Sequence, residues 1–198
     1  MEFIKQIQAR ELGALEELRR ICLKYDLRYF LAQGTLIDAA RENGFIPWDD
    51  DIDVIMPYTD LQKLICMFPF EGNGKYKITN HKIEKHYPLS WTKIRIENTL
   101  SRPVRYKDIP VDWGICIDIF PIYPLSNTPV LRRAEIAFFK LARKMLLAEM
   151  TRYDGKRSAL VKLFEKIPIP VRHMFMDAAV WVFARHKDNT DFVYVVCK

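Results

Sequence analysis

Four aspartates stand within five positions, Asp49, Asp50, Asp51 and Asp53, and run directly into Val54, Ile55 and Met56. Like charges this close disfavour one another's ionisation unless a cation or a set of donors compensates. An acidic surface turn is common, but it rarely feeds straight into β-branched core residues. The pattern therefore places the cluster at the start of a strand, Ile52–Met56. With a period of two, Asp51 and Asp53 share one face and Ile52 and Val54 the other. Two carboxylates so spaced suit a hard divalent cation held by oxygen. A calcium loop of the EF-hand kind starts well with Asp49, Asp51 and Asp53. It fails at its required glycine, which is Val54, and at its twelfth position, which is Asp60 rather than Glu. A helix N-cap accounts for one aspartate at most.

A third carboxylate, Asp118, lies in ICIDIF between apolar β-formers. A charged residue there needs a metal, an Arg or backbone donors, unless it is part of a structural salt bridge or lies on an exposed strand face. Upstream, Gly34-Thr35 sits between a strand and a helix, where backbone N–H groups and a hydroxyl can hold phosphate. Arg41 on that helix either adds charge to a phosphate or is a surface residue. Lys93 and Arg95 share a strand face in WTKIRIEN and add possible phosphate contacts. His81 and His86 are spaced for neither a helical nor a strand metal pair. Neither a P-loop nor a dinucleotide-binding glycine motif is present.

The rest of the chain supplies the frame. Amphipathic periodicity predicts a helix over 3–25, then a strand at 28–32, a helix at 35–43 and, after the acidic strand, a helix at 58–68. Short strands are expected at 76–80, 91–98, 102–106 and 115–120, the last closed by Pro121 and Pro124. Helices follow at 130–152 and 157–186, the latter broken at Pro168 and Pro170, and a final strand at 192–197. The 198 residues carry a net charge of +6, placed unevenly: residues 1–128 hold 17 Lys/Arg and 18 Asp/Glu, residues 129–198 hold 14 and 7. On the helix at 130–152, Arg132, Arg133, Lys140, Arg143 and Lys144 fall within about 120° of arc. Leu131, Phe138, Leu141, Ala142 and Met145 lie opposite, for packing. The basic stripe is either a solvated face or a contact with an anionic surface such as a membrane. Cys22, Cys66, Cys116 and Cys197 are scattered among apolar residues, as suits reduced, buried thiols. No signal-peptide pattern and no membrane-spanning run is found, so a cytoplasmic protein is expected, peripheral to the inner face of a membrane at most.

Gly-Thr, a helix, two aspartates one residue apart on a strand and a third on a later strand resemble the active-site plan of nucleotidyltransferase-fold enzymes. GTLIDAARENGFIPWDDDIDVIM (34–56), KIRIENT (93–99) and GICIDIFPIYPLS (114–126) more specifically resemble the LicD family, which includes the fukutin-related proteins. The resemblance covers roughly residues 15–130. It implies an α/β (α+β) fold: a small mixed sheet with flanking helices, a catalytic core over 1–128, and a basic helical region over 129–198 packed on the same core. Family members usually continue past the point where this chain stops, so a short or truncated member is expected. The implied activity is metal-dependent transfer of a phospho-alcohol, phosphocholine above all, from a CDP-linked donor such as CDP-choline. The implied acceptor is a hydroxyl of a glycan or its lipid-linked precursor, as in lipopolysaccharide or teichoic acid. Asp51, Asp53 and Asp118 would hold Mg²⁺ or Mn²⁺ and carry catalysis, with Asp49 and Asp50 as further ligands or supports. Gly34, Thr35, Arg41, Lys93 and Arg95 would contact substrate phosphate. No nucleic-acid partner is implied. A nucleotidyltransferase using a nucleoside triphosphate, and an inactive binding relative, are the competing readings.

Overall fold

In the first helix, α1 (Glu2–Tyr25), the residues Ala14, Leu18, Ile21 and Cys22 form one buried stripe against the sheet. The helix ends where Asp26 takes a φ of 52° and the Leu27 N–H returns to the Cys22 carbonyl at 2.9 Å. The structure, a computed structural model, describes residues 2–42, 44–71, 74–102, 109–151, 158–186 and 190–196. After α1 come β1 (Phe30–Leu31), α2 (Gln33–Arg41), β2 (Asp53–Pro57), α3 (Tyr58–Glu71), β3 (Tyr76–Thr79), β4 (Thr92–Ile96) and β5 (Cys116–Pro124). The chain continues through α4 (Pro129–Thr151), α5 (Ala159–Glu165), α6 (Ile169–Ala184) and β6 (Val193–Val195). The strand expected at 102–106 lies almost wholly outside the described residues.

The strands make one open mixed sheet in the order β1-β2-β5-β4-β3, with β6 pairing β5 beyond the end of β4. β2 and β5 run parallel, and the other pairs antiparallel. Helices cover both faces, so the fold is α/β. On one face Val54, Met56, Ile94, Ile96, Ile117 and Ile119 pack beneath α1 and α3. On the other, Phe120 and Trp91 pack beneath Phe139, Ala142 and Leu146 of α4 and Met176, Ala179 and Phe183 of α6. Each such Leu, Ile or Phe contributes roughly 1.5–3 kcal/mol by leaving water.

Several expectations need correcting. β5 does not stop at Pro121 but runs on to Pro124. The Pro121 carbonyl accepts from Val196 N at 3.4 Å, so its ring nitrogen faces that same edge, where β4 has ended and β6 begins. A missing N–H is tolerated at such a change of neighbour. Pro170 does not break a helix: it lies in the first turn of α6, where its N–H would have no intrahelical partner. The packed face of α4 is rotated from the one expected, and Leu131 and Leu141 are exposed. Ring contacts decide this, because Phe139 sits 5.5 Å from Tyr123, 5.0 Å from Phe183 and 5.3 Å from Tyr194. The rotation also takes Arg132 over the Phe192 ring at 3.7 Å and Arg143 over Trp91 at 5.8 Å. Arg133, Lys140 and Lys144 remain exposed. Cys66 is exposed on α3 rather than buried, and Cys116 is half-buried. Among the described residues no helix is long and apolar enough to cross a membrane.

Candidate active site

The parallel pairing of β2 with β5 puts Asp53 directly beside Asp118. The antiparallel pairing of β4 with β5 puts Lys93 on Asp118's other side. The three form one row across three strands, on the face opposite Val54, Ile94, Ile117 and Ile119, and both aspartates are buried. Lys93 Nζ donates to Asp118 Oδ1 and approaches Cys116 Sγ at 3.3 Å. Burial opposes the ammonium's charge, but Cys116 and Asp118 outweigh it and raise the Lys93 pKa. Lys93 is thus committed to Asp118. Two residues further along the same face, Ile55 and Phe120 pair, and Trp91 stands 5.2 Å from Phe120, an apolar wall to the polar row.

α2 and the acidic loop close the row at its β2 end. Thr35, buried in the first turn of α2, accepts the Asp53 N–H at 2.8 Å, and the Asp53 carbonyl accepts from Ala32 N at 2.9 Å. Thr35 therefore positions Asp53 while its hydroxyl hydrogen remains to donate. Gly34 belongs to the same turn. A Cβ there would lie 2.9 Å from Asp49 Oδ2, so glycine lets the Asp49 carboxylate press onto the helix. Gln8 of α1 holds the loop in that position, its Nε2 donating to the carbonyls of Ile46 at 3.2 Å and Asp49 at 2.7 Å. Burial, a hydrogen bond with Asp38, and the charges of Asp51 and Asp38 push the Asp49 carboxyl up to about 6.

The other expected residues are placed differently. Asp51 precedes β2 rather than lying in it, so strand alternation does not align it with Asp53. It faces Asp49. Asp50 is exposed, its N–H donating to Asp49 Oδ1 at 3.1 Å. Arg41 is exposed at the far end of α2 from Gly34 and Thr35. Arg95 is buried over the Tyr87 ring at 5.9 Å and faces Glu84 at 3.3 Å and Asp112 at 3.8 Å. Asp38 and Gln8 escaped the sequence reading. Asp38 follows Gly34 by four residues, hence on the same helical face, and that spacing was its one signal. Two of the histidines are hydrogen-bonded to carboxylates: His81 to Asp177 at 2.9 Å and His186 to Glu135 at 2.7 Å. Among the described residues, no three His, Cys, Asp or Glu side chains converge as a metal site.

Comparison with known proteins places this geometry. The family profile described as "LicD/FKTN/FKRP, nucleotidyltransferase domain" matches residues 26–144, more than half of the chain and all of the row just described. The lipopolysaccharide cholinephosphotransferase LicD of Haemophilus influenzae is 32% identical over 158 residues, covering 74% of this chain and 59% of that protein. This chain therefore spans about three fifths of that relative's length. Uncharacterized proteins of Rickettsia typhi and Rickettsia prowazekii match shorter stretches, at 31% identity over 72 residues (35% of this chain, 22% of that protein) and 32% over 57 (27% and 21%). No solved structure matches the chain. On the extent of the profile match and the identity to LicD, the chain belongs to the LicD family.

Proposed function

We propose that this protein transfers a phospho-alcohol group, most simply phosphocholine, from a CDP-linked donor to a hydroxyl of a cell-surface glycan or its lipid-linked precursor. One observation carries the reading: the buried Asp53–Asp118 pair, flanked by Lys93 and by Thr35 at the start of α2, within the region that matches the family. The relative's name supplies the headgroup and the acceptor class. Phosphoryl transfer is mostly positioning and charge neutralisation, which a rigid row on a sheet suits.

The two carboxylates offer oxygens alone, which suit a hard divalent cation, Mg²⁺ or Mn²⁺; Asp53 and Asp118 would hold it, with Asp51 as a proposed further ligand. When bound, the ion neutralises charge on the phosphoryl oxygens. The acceptor hydroxyl oxygen attacks the phosphorus that bears the alcohol. The bond from that phosphorus to the bridging oxygen breaks, and CMP leaves with that oxygen. The hydroxyl proton passes to a carboxylate of the pair. Lys93 holds its own proton too tightly to act as the base, and instead fixes the charge on Asp118. Gly34 and the Thr35 hydroxyl, at the N-terminal turn of α2, meet donor phosphate. The exposed Arg133, Lys140 and Lys144 would rest on an anionic membrane, at the cytoplasmic face, where a lipid-linked acceptor is presented.

The test is incubation with a panel of CDP-linked alcohols, Mg²⁺ or Mn²⁺ and a glycan or lipopolysaccharide acceptor, reading CMP and the transferred headgroup by mass spectrometry. Pyrophosphate released from CTP, with a CMP-modified product, would replace this reading with nucleotidyl transfer.

A further inference from the structure

α6 reverses the usual placing of polar and apolar residues on a surface helix. Its ionisable residues are Arg172, His173 and Asp177, and each is engaged with the rest of the protein. Arg172 is 3% exposed and donates to Glu149 of α4 at 3.2 Å and to the carbonyls of Ile167 and Glu165 at 2.8 Å each. Asp177 is bonded to His81 Nε2 at 2.9 Å, and the His173 ring stands 5.6 Å from that of His81. The side turned away from the core is left to Met174, Phe175, Ala178 and Trp181, all exposed, Met174 by 60% and Trp181 by 65%. An apolar stripe of this kind marks a surface that meets something less polar than water.

Two ties fix α6 antiparallel beside α4: Arg172 to Glu149 at one end, and Arg185 and His186 to Glu135 at the other, at 3.3 and 2.7 Å. That register brings Lys140 level with Trp181 and Lys144 level with Ala178. Both helices pack on the same face of the sheet, through Phe139, Ala142, Met176 and Phe183, so their outer sides look the same way. On α4 that outer side carries Arg133, Lys140 and Lys144. A basic row beside an apolar stripe that holds a Trp matches the surface of an anionic phospholipid bilayer, whose phosphates lie just above its acyl chains. A second copy of the chain fits less well, since a two-fold pairing through α6 would bring one basic row against the other. We infer that α6 is an interfacial helix: Met174, Phe175, Ala178 and Trp181 enter the headgroup layer of an anionic membrane, while Lys140 and Lys144 stay on the lipid phosphates. The helix lies flat, because its 16 residues span about 24 Å, less than the roughly 30 Å hydrocarbon core. The inference deepens the membrane contact proposed for the basic residues. Charge alone gives a contact that salt removes, whereas apolar insertion survives salt.

Co-sedimentation of the full chain with phosphatidylcholine vesicles, with and without phosphatidylglycerol, is measured at low and at high salt. Wild type should bind the anionic vesicles, and salt should weaken the binding without abolishing it. Met174→Ser/Trp181→Ser should bind about tenfold or more weakly at either salt, because two large apolar side chains no longer leave water. Its melting temperature should match wild type, since both residues are exposed, and this separates lost binding from lost folding. Trp181→Phe keeps the apolar face and should sediment like wild type. It should lose the blue shift of tryptophan emission, and the quenching by brominated lipid, that wild type shows on binding. Binding that salt abolishes and that Met174→Ser/Trp181→Ser leaves unchanged would overturn the inference and leave a purely electrostatic contact. No vesicle binding by wild type would overturn the inference together with that contact. A wild-type dimer in light scattering without lipid, reduced to monomer by Met174→Ser/Trp181→Ser, would assign the stripe to a second copy instead.

Discussion

Lys93→Met keeps an unbranched side chain of similar length and deletes the charge that neutralises Asp118. The Lys93 and Asp118 side chains are only 13% and 7% exposed, so water screens little of their attraction. Breaking a buried pair by removing one partner costs about 3–5 kcal/mol, because a charge is left uncompensated. For a chain of this size each 1 kcal/mol lowers the midpoint by roughly 2–4 °C, so a drop of about 6–20 °C is expected in EDTA. If Asp118 also serves a divalent cation, added Mg²⁺ should restore part of that loss. An ion at about 100 times its dissociation constant stabilises by about 2.7 kcal/mol. Lys93→Arg, which keeps the charge, should lose much less. The assay is thermal or urea unfolding of wild type, Lys93→Met and Lys93→Arg, each with EDTA and with Mg²⁺. A loss under about 1 kcal/mol for Lys93→Met in EDTA would refute the claim that Lys93 compensates a buried charge. The same large loss with and without Mg²⁺ would leave Asp118 as half of a structural ion pair and remove it from the cation shell.

Asp53→Asn keeps size and removes a charge from the row, so headgroup transfer should fall at least ~10²-fold, equivalent to ~2.7 kcal/mol of transition-state stabilisation; full turnover in that variant would take Asp53 out of the mechanism. Thr35→Val strips the acceptor from the buried Asp53 N–H and should cost about 1–3 kcal/mol by urea unfolding, whereas Thr35→Ser should not. The hydrogen bonds from Lys24, Tyr25 and Arg20 hold the Glu71 carboxyl at about 2, below its ordinary value. A depressed carboxylate contributes stability that is present above the unfolded-state pKa of about 4.3 and is lost as pH falls through the folded value. Melting midpoints should therefore decline between about pH 4 and 2, less steeply in Glu71→Gln, and parallel curves would count against the triad of donors. Sedimentation with anionic against neutral liposomes should show salt-sensitive binding that falls when Arg133, Lys140 and Lys144 are reversed in charge, each contributing about 1 kcal/mol; indifference to those changes would leave them as solvated charges.

How much of this was legible before the structure differs from element to element. The helix positions of α1, α2, α3, α4 and α6 and the location of β2 follow from apolar spacing and from Pro and Gly punctuation, which act over a turn or two of chain. So does the placing of Gly34-Thr35 ahead of the aspartates. The acidic run entering an apolar strand was enough to mark Asp53, and an Asp amid ICIDIF enough to mark Asp118, because a charge inside a core strand needs compensation wherever the strand goes. Where α4's buried face points was not legible: the aromatic partners of Phe139 come from Tyr123, Phe183 and Tyr194, and moved Leu131 and Leu141 into solvent.

What the sequence determined alone is the local inventory: which residues form strands and helices, and which carboxylates need a positive partner. Tertiary structure decided the pairings. Asp53 meets Asp118 across 64 intervening residues only because β2 and β5 pair in parallel at that register. Lys93 became the counter-ion of Asp118 rather than a free phosphate contact because β4 pairs opposite it. Asp51 left the strand face because pairing begins only at Asp53. Asp49 was drawn against α2 by a glycine of that helix and by an amide on α1 41 residues earlier in the chain. Electrostatic compensation acts through space over a few ångströms, and proximity between distant residues is set by strand register and helix packing, not by their spacing along the chain.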